Sequence, residues 1–581
     1  MQNNPLEKNV NKWLQGDYPQ EVKAQILQLK EKNPEEFADA FYKELEFGTG
    51  GLRGIMGIGP NRMNKYTIGA ATQAIANYLH QLYPSERIKI AIAYDSRNNS
   101  RYFSEIASQI LSANKIHCYL FEDLRPLPEL SFTVRHLQCQ AGIMVTASHN
   151  PKEYNGYKVF WNDGAQLVPP HDKNILTEIR KIKTNSKINW EGNNEYIQLI
   201  GGKIDEIYLN KIKSLSLNPD SILKQANLPI IYSPLHGTGI TLIPKALKMF
   251  GFNNLRIVHE QATPDGNFPT VLSPNPEEKL TMSMALQQGE EQGCCLVLAT
   301  DPDTDRMGVA VRNDENKLEL LNGNMVATLL IYYLLQEWKN HNKLNGNQFI
   351  AKTIVTTDII LEIAKDFKVE CENVLTGFKY IAEKISENEN KKQFIIGGEE
   401  SYGMLVGDFV RDKDAVSACC LMAELTAHLK NQNTTPFELL KELYVKYGFY
   451  KESLFSITKK GKSGAEAIQN KMLELRNTPP KSIANSKITT IHDYLTQCSY
   501  DVKNNKTQKI SLPKSNVLQF ITEDNSKIAI RPSGTEPKIK IYMAVKGELR
   551  SKKDFALINQ QLTQKIKTIE DFLRDLVNTE S

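Results

Sequence analysis

The most restrictive feature of this 581-residue chain is a pattern that recurs along it: a short apolar run, suited to a buried strand, passes directly into a polar loop. The runs are IKIAIAYDSR (88–97), AGIMVTAS (141–148), LPIIYS (228–233), CCLVLAT (294–300), NQFIAKTIVTT (347–357) and QFIIGG (393–398). Segments of helical period lie between them, such as TLIPKALKMFG and NGNMVATLLIYYLLQEWKN. Strands that are apolar throughout, and that alternate with helices, point to mainly parallel α/β units covered on both faces. A chain this long exceeds one hydrophobic core and implies roughly three to five domains. In open α/β sheets, ligands bind at the loops beyond the carboxyl ends of the strands. The loops after the apolar runs are therefore where chemistry is expected.

The two ends read differently. Residues 1–45 carry apolar residues at helical spacing and stop at a glycine-rich turn, Gly48-Thr49-Gly50-Gly51-Leu52-Arg53-Gly54. From about residue 455 onward, strands joined by tight turns precede a long amphipathic helix, ALINQQLTQKIKTIEDFLRDLV, which suggests a separate α+β domain.

A formal charge of +4, with acidic and basic residues mixed throughout, argues against a nucleic-acid partner held by a basic face. There is no run of about 18 apolar residues to cross a membrane, and MQNNPLEKNVNKWLQGDYPQ lacks the apolar core of a secretion signal. The eight cysteines are scattered without CxxC spacing and read as reduced core thiols of a cytoplasmic protein.

Four loops stand out. Thr146-Ala147-Ser148-His149-Asn150-Pro151 places a serine at a strand end, with His149 and Lys158 near enough in sequence to neutralise an anion. No G-x-S-x-G elbow accompanies it, so acyl chemistry is not indicated; a turn-capping serine is the plainer alternative. Asp301-Pro302-Asp303-Thr304-Asp305-Arg306 spaces three carboxylates by two, which in an extended segment turns them to one side. Such carboxylates repel unless a cation sits among them, and an all-oxygen site suits Mg²⁺ before Mn²⁺ or Ca²⁺. Gly398-Glu399-Glu400-Ser401-Tyr402-Gly403 offers Glu399 and Ser401 for adjacent sugar hydroxyls; Lys379 follows another apolar segment and could reach the same pocket, while Arg411-Asp412-Lys413-Asp414 has the look of a solvated charge run. Arg531-Pro532-Ser533-Gly534-Thr535-Glu536-Pro537-Lys538 combines hydroxyls, a glycine and cations, as a phosphate cradle does, or a hairpin turn.

The set TASHNP, DPDTDR, GEESYG and RPSGTEP, in this order across residues 47–545, resembles the α-D-phosphohexomutases, which include phosphoglucomutase and phosphomannomutase. The N-terminal helices and FGTGGLRG resemble the longer branch with phosphoglucomutase-2-type and phosphopentomutase members. The resemblance implies an α/β fold of four domains around a central cleft: three related mixed-sheet units over 1–205, 206–322 and 323–454, and an α+β phosphate-binding domain over 455–581. It implies Ser148 as a phosphoserine, one Mg²⁺ on Asp301, Asp303, Asp305 and an oxygen at Ser148, and sugar contacts from Glu399 and Ser401. It further implies a phosphate held by Arg531, Ser533, Gly534 and Thr535, and a reaction centre lined by Arg53, His149, Lys158, Arg306 and Lys379. The activity implied interconverts sugar 1- and 6-phosphates through a sugar 1,6-bisphosphate; pentose, mannose and bisphosphate-synthase variants share the same site. The partners are small sugar phosphates, and the chain is expected as a monomer or weak homodimer. Two departures stand out. Gly403 occupies the place where bacterial phosphomannomutases carry a histidine, and the KDG of glucose-type members reads Lys413-Asp414-Ala415. Lys413 is thus the expected acid/base group, with its pKa lowered by a crowd of cations.

Overall fold

The computed structural model describes residues 5–47, 51–182, 185–459, 461–533 and 538–578. Its first sheet is built from β1 (Gly51–Ile55), β2 (Lys89–Tyr94), β3 (His117–Phe121), β4 (Ala141–Val145), β5 (Tyr154–Trp161) and β6 (Ile197–Ile200), in the order β1-β5-β4-β2-β3-β6. The second holds β7 (Ile230–Ser233), β8 (Leu255–Ile257), β9 (Leu296–Thr300), β10 (Met307–Arg312) and β11 (Leu318–Leu321), ordered β11-β10-β9-β7-β8. The third holds β12 (Gln348–Thr353), β13 (Glu370–Val374), β14 (Gln393–Gly398) and β15 (Met404–Val406), ordered β13-β12-β14-β15. Each is mixed: the inner pairs β2–β4, β7–β9 and β12–β14 are parallel, and the loop-bearing strand of each then returns through an antiparallel partner, β5, β10 or β15. All six apolar runs are strands, and β4 and β9 are buried at every position.

The fourth sheet is antiparallel. It comprises β16 (Phe449–Thr458), β17 (Ser482–Ile483), β18 (Ser486–Asp493), β19 (Cys498–Asp501), β20 (Lys506–Lys509), β21 (Leu518–Thr522), β22 (Lys527–Pro532) and β23 (Lys538–Gly547). The C-terminal amphipathic helix, Phe555–Asn578, packs on β23 and β16. Strand β16 pairs with β23 along its whole length, so the fourth sheet begins before the 454/455 boundary expected from sequence. An unbroken apolar cluster runs from Ala91 to Val577 and draws residues from all four sheets.

The N-terminal helices form a smaller aromatic cluster in which Trp13, Phe41 and Tyr66 meet edge to face. Helix Lys65–Leu82, against which they pack, is started by Asn64: its side chain accepts from the Tyr66 and Thr67 amides, while Thr67 Oγ1 accepts from the Asn64 amide. Among the described residues no helix is long and apolar enough to cross a membrane. All eight cysteines are unpaired. Five are core thiols as expected; Cys295, Cys371 and Cys498 are only half-buried, lying before β9, on the edge strand β13 and on the open β19–β20 ribbon.

Candidate active site

Ser148 lies three residues beyond β4 with φ +52°, a left-handed conformation that costs a non-glycine residue on the order of 1–3 kcal/mol and needs surrounding support. The support is Arg97. Its guanidinium donates to the carbonyls of Ser148, Asn150, Pro151 and Tyr154, and so wraps the whole loop. Asp95 holds it from behind, accepting from the Arg97 amide at 2.9 Å, Ser100 Oγ at 2.7 Å and Thr146 Oγ1 at 2.6 Å. Both Asp95 and Arg97 stand at the carboxyl end of β2, in a run recognised from sequence only as a strand. Two charged residues closing an apolar strand were the available signal.

Ser148 is buried, and its hydroxyl donates to Asp301 Oδ2 at 2.7 Å, across 153 residues of chain. His149 Nδ1 is 3.2 Å from Ser148 Oγ. Burial, reinforced by Arg306 and Arg53, pushes His149 well below its ordinary range, so its ring is neutral.

The carboxylates of Asp301, Asp303 and Asp305 are fully buried, with one ligand atom from each lying within 4.8 Å of the others. They converge through a turn and not, as the two-residue spacing suggests, through an extended segment. Thr304 has φ +58° and its amide bonds back to the Asp301 carbonyl at 2.9 Å. Asp301 Oδ1 then accepts from the amides of Asp305 and Arg306. The loop is fastened from three sides: the Leu127 amide bonds to the Asp303 carbonyl, the Thr238 amide and hydroxyl to that of Pro302, and the Ala415 amide to that of Thr304. Gly237 lies so close that a Cβ there would stand 2.5 Å from Pro302 Cα.

Asp303 Oδ1 and Asp305 Oδ1 are buried with no hydrogen-bond partner. Two orphaned carboxylate oxygens beside a third acid are costly, and hard oxygen donors in this number fit a divalent cation such as Mg²⁺. Lysines offset part of the charge: Lys158 Nζ is 2.7 Å from Asp303 and 3.5 Å from Asp305, and Lys413 Nζ is 3.2 Å from Asp305. The trio responds unequally. Burial and the two neighbouring acids lift Asp301 well above the usual carboxylate range. Burial also pushes Asp305 up, but Lys413, Lys158 and Arg306 outweigh it and hold it below that range.

Two expectations about Lys413 are corrected. The Arg411–Asp414 run is buried, not solvated: Asp414 accepts from Tyr208 Oη and from the first amides of helix Ala415–Asn431, and Gln166 reaches Asp412. The crowd around Lys413 is anionic, not cationic. Burial alone would lower its pKa, but Asp305, Asp412 and Glu399 outweigh burial and raise it above an ordinary lysine's. A Cβ on Gly403 would fall 2.1 Å from Lys413 Cδ, so the lysine fills the space a side chain at 403 would need.

These loops open on one cleft of about 630 Å³. His149, Arg306, Glu399 with Ser401, and Arg531 bring one wall from each of the four sheets' loops. Lys540 joins Arg531 across the β22–β23 register, and Glu277 grips Arg306 at 2.6 Å; neither stood out in sequence, because both sit in ordinary-looking charged stretches. Burial lifts Glu399 to about 7 against the pull of Lys413. Arg53, on β1 opposite Gly156, is near enough for its charge to act on His149 and Arg97. Lys379 is half-buried beside Arg531, while Thr376 and Gly377 form the nearby cleft wall; burial pushes Lys379 below the ordinary lysine value. The Ser533 amide bonds to the Lys538 carbonyl at 2.8 Å across the neck of its loop, and Gly534 and Thr535 lie outside the described residues.

Three models of phosphoglucomutase/phosphomannomutase α/β/α domains match in order: domain I over residues 44–186, domain II over 206–315 and domain III over 322–447. The phosphoglucomutase of Staphylococcus haemolyticus is 38% identical over 509 residues, covering 87% of this chain and 91% of that one. The chain belongs to the phosphoglucomutase/phosphomannomutase family. A Staphylococcus aureus phosphoglucomutase is 36% identical over 511 residues, 87% of this chain and 91% of its own. Among solved structures, a phosphomannomutase-like protein of Thermus thermophilus superposes with TM-score 0.66 at 20% identity, covering 92% of this chain and all of its own. Parafusin, a phosphoglucomutase of Paramecium captured in an open form, superposes with TM-score 0.65 at 18% identity, covering 91% of this chain and 96% of its own. At those identities the two structures speak for the fold.

Two outcomes follow from this family site's supports. Arg97→Met should release the Ser148 loop and lower kcat by roughly a hundredfold, the scale of a 1 Å misplacement, and should also lower the melting temperature, because it strands the buried Asp95 carboxylate. Gly237→Ala should displace the acidic loop and weaken divalent-metal affinity by about tenfold or more, read by titration calorimetry.

Proposed function

We propose that this chain interconverts glucose 1-phosphate and glucose 6-phosphate, with Ser148 carrying the phosphoryl group between positions of the sugar. The observation that carries this reading is the Ser148 hydroxyl at 2.7 Å from Asp301, inside a buried acidic trio. Glucose is preferred to mannose or a pentose because the curated relatives at 36–38% identity are named phosphoglucomutases.

In this reading phosphate on Ser148 passes to the free hydroxyl of a glucose monophosphate, giving glucose 1,6-bisphosphate. The intermediate turns over in the cleft, and its other phosphate returns to Ser148. Asp301, Asp303 and Asp305 would hold Mg²⁺, which when bound offsets the charge of the transferring group. Lys158 and Lys413 bring N–H donors to that charge from either side of the trio. Arg53 and Arg306 add positive potential. Glu399 and Ser401 accept and donate to sugar hydroxyls. Arg531 and Ser533, with Gly534 and Thr535, hold the phosphate that is not reacting. Arg97 fixes the direction of Ser148, and Thr146 Oγ1, accepting from the Ser148 amide at 2.8 Å, steadies it. Water must be kept from the phosphoserine, and four loops meeting over one cleft provide for its exclusion.

Ser148→Ala should abolish mutase turnover while leaving the fold intact; turnover by the variant removes the carrier role. A charge-assisted hydrogen bond contributes about 1.5–3 kcal/mol, so Arg531→Ala should raise KM roughly tenfold or more with a smaller change in kcat. Comparing kcat/KM on glucose 1-phosphate, mannose 1-phosphate and ribose 1-phosphate, with glucose 1,6-bisphosphate present, tests the sugar. Preference for either of the last two overturns the assignment to glucose.

A further inference from the structure

Away from the reaction centre, a second charged cluster lies between the third and fourth sheets. Asp358 stands at the start of helix Ile359–Phe367, where an aspartate ordinarily caps its own helix. Here its side chain makes no capping bond. Oδ1 instead accepts from Lys352 Nζ at 2.9 Å, and Oδ2 lies 2.8 Å from Lys527 Nζ. Lys352, on β12, is fully buried; Lys527 opens β22 of the fourth sheet.

Each lysine leads to a different part of the cleft. Lys352 Nζ also donates to the carbonyls of Thr353 at 3.2 Å and Thr356 at 3.0 Å, closing the turn after β12. The hydroxyls of those two threonines donate to Glu400 Oε2, each at 3.1 Å. Glu400 adjoins Glu399, whose Oε1 accepts from the Gly377 amide at 3.0 Å. On the other side, Lys527 and Arg531 share β22, four residues apart, or about 13 Å at strand rise. The surroundings are sparse: a small apolar cluster of Ile354, Val355 and Leu375 against Tyr494, Val517, Ala529 and Tyr542, and one bond from Gln519 Nε2 to the Ile354 carbonyl. Glu452, with Oε1 buried on β16, faces the same junction, where burial lifts its pKa to about 7 against the opposing action of Thr357 and the positive charges of Lys527 and Lys451.

We propose that Asp358 is a positioning residue: the Lys352–Asp358–Lys527 bridge couples the strand that grips the distal phosphate to the turn that orients the sugar-reading loop. The idea rests on the mutase reading above and extends it. Asp358 keeps 30% of its side chain exposed, but the two lysines it joins, from different units, are exposed only to 0% and 11%, so separating the units takes this ionic partner from a largely buried ammonium and displacement is transmitted. A plain stabilising ion pair would leave substrate binding untouched. A coupling bridge determines how firmly both ends of a bisphosphate are held together, and therefore how often the intermediate escapes before it has turned.

The test uses the full-length enzyme phosphorylated at Ser148 with radiolabelled phosphate, mixed with glucose 1-phosphate. Released glucose 1,6-bisphosphate is counted per turnover, alongside KM, kcat and melting temperature. Asp358→Asn and Lys527→Gln should raise both KM and bisphosphate escape on the order of tenfold, less than the roughly hundredfold cost of misplacing reacting groups by 1 Å. At saturating glucose 1,6-bisphosphate the final extent of Ser148 loading should match wild type, although more bisphosphate is needed to reach it, and Lys527→Arg should restore KM and escape. If Asp358→Asn fails to fold, Lys527→Gln carries the same comparison, since it leaves the Lys352–Asp358 pair intact. Folded variants with wild-type KM and escape overturn the coupling whatever their melting temperature. A wild-type enzyme that makes no bisphosphate removes the mutase reading itself, and the proposal with it.

Discussion

Three carboxylates buried within 4.8 Å of one another are the constraint on which the rest of the structure turns. Acids at such separation, out of water, repel one another strongly, and nothing in the Asp301–Asp305 loop alone would hold them there. The fold supplies the opposing terms from several directions. Lys158 comes from the first sheet and Lys413 from the start of a helix in the third unit, and backbone bonds from Leu127, Thr238 and Ala415 pin the carbonyls between the acids. The site is therefore the meeting point of separately folded pieces. Its charge balance and the packing of the units are one problem, and the residual negative charge suits a cation.

The same logic accounts for the two conformations that a single strand of reasoning would find odd. Ser148 and Thr304 both take left-handed backbone angles, one facing the trio and one within its loop. Each is held by bonds that cannot form otherwise: Arg97 needs the Ser148 and Asn150 carbonyls turned toward it, and Asp301 Oδ1 needs the Asp305 and Arg306 amides folded back. Local strain is offset by long-range polar contacts, which makes the geometry of the Ser148 hydroxyl a property of the whole first unit and not of its own loop.

How far this was legible in the sequence depends on the kind of interaction. The strands were plain because burial on both faces leaves a continuous apolar run. Three of the four loops were plain because each follows such a run; the fourth, Arg531–Lys538, was plain from its own composition. Their role as a set was carried by four motifs in order. What could not be read is what depends on the partner across the fold. Arg411–Asp414 has the composition of a solvated turn, yet Tyr208 and Gln166 await it in the interior. Lys413 was expected among cations, and only the coordinates place three acids around it. The two-residue spacing of the aspartates led to the right convergence by the wrong geometry, since a turn brings them together as well as a strand would. Arg97 was passed over because a charged residue ending a strand is common, and its four carbonyl partners are more than fifty residues away in the chain.

Beyond the trio, polar contacts continue outward in an ordered way. The acidic loop touches Arg306, which is held by Glu277; Arg306 faces the cleft with Glu399; Glu399 adjoins Glu400; and Glu400 is held by the two threonines that Lys352 locks in place. Lys352 then meets Asp358 and, through it, the strand that carries Arg531. Most steps in this chain are buried or half-buried polar contacts, and Glu399 and Glu400 are joined by the backbone itself, so displacement at one end is not absorbed locally. An enzyme that must hold a bisphosphate at both ends while it turns needs its two grips to respond to one another. A path of mutually dependent polar contacts is a physical means for that, where a purely apolar interface would slide.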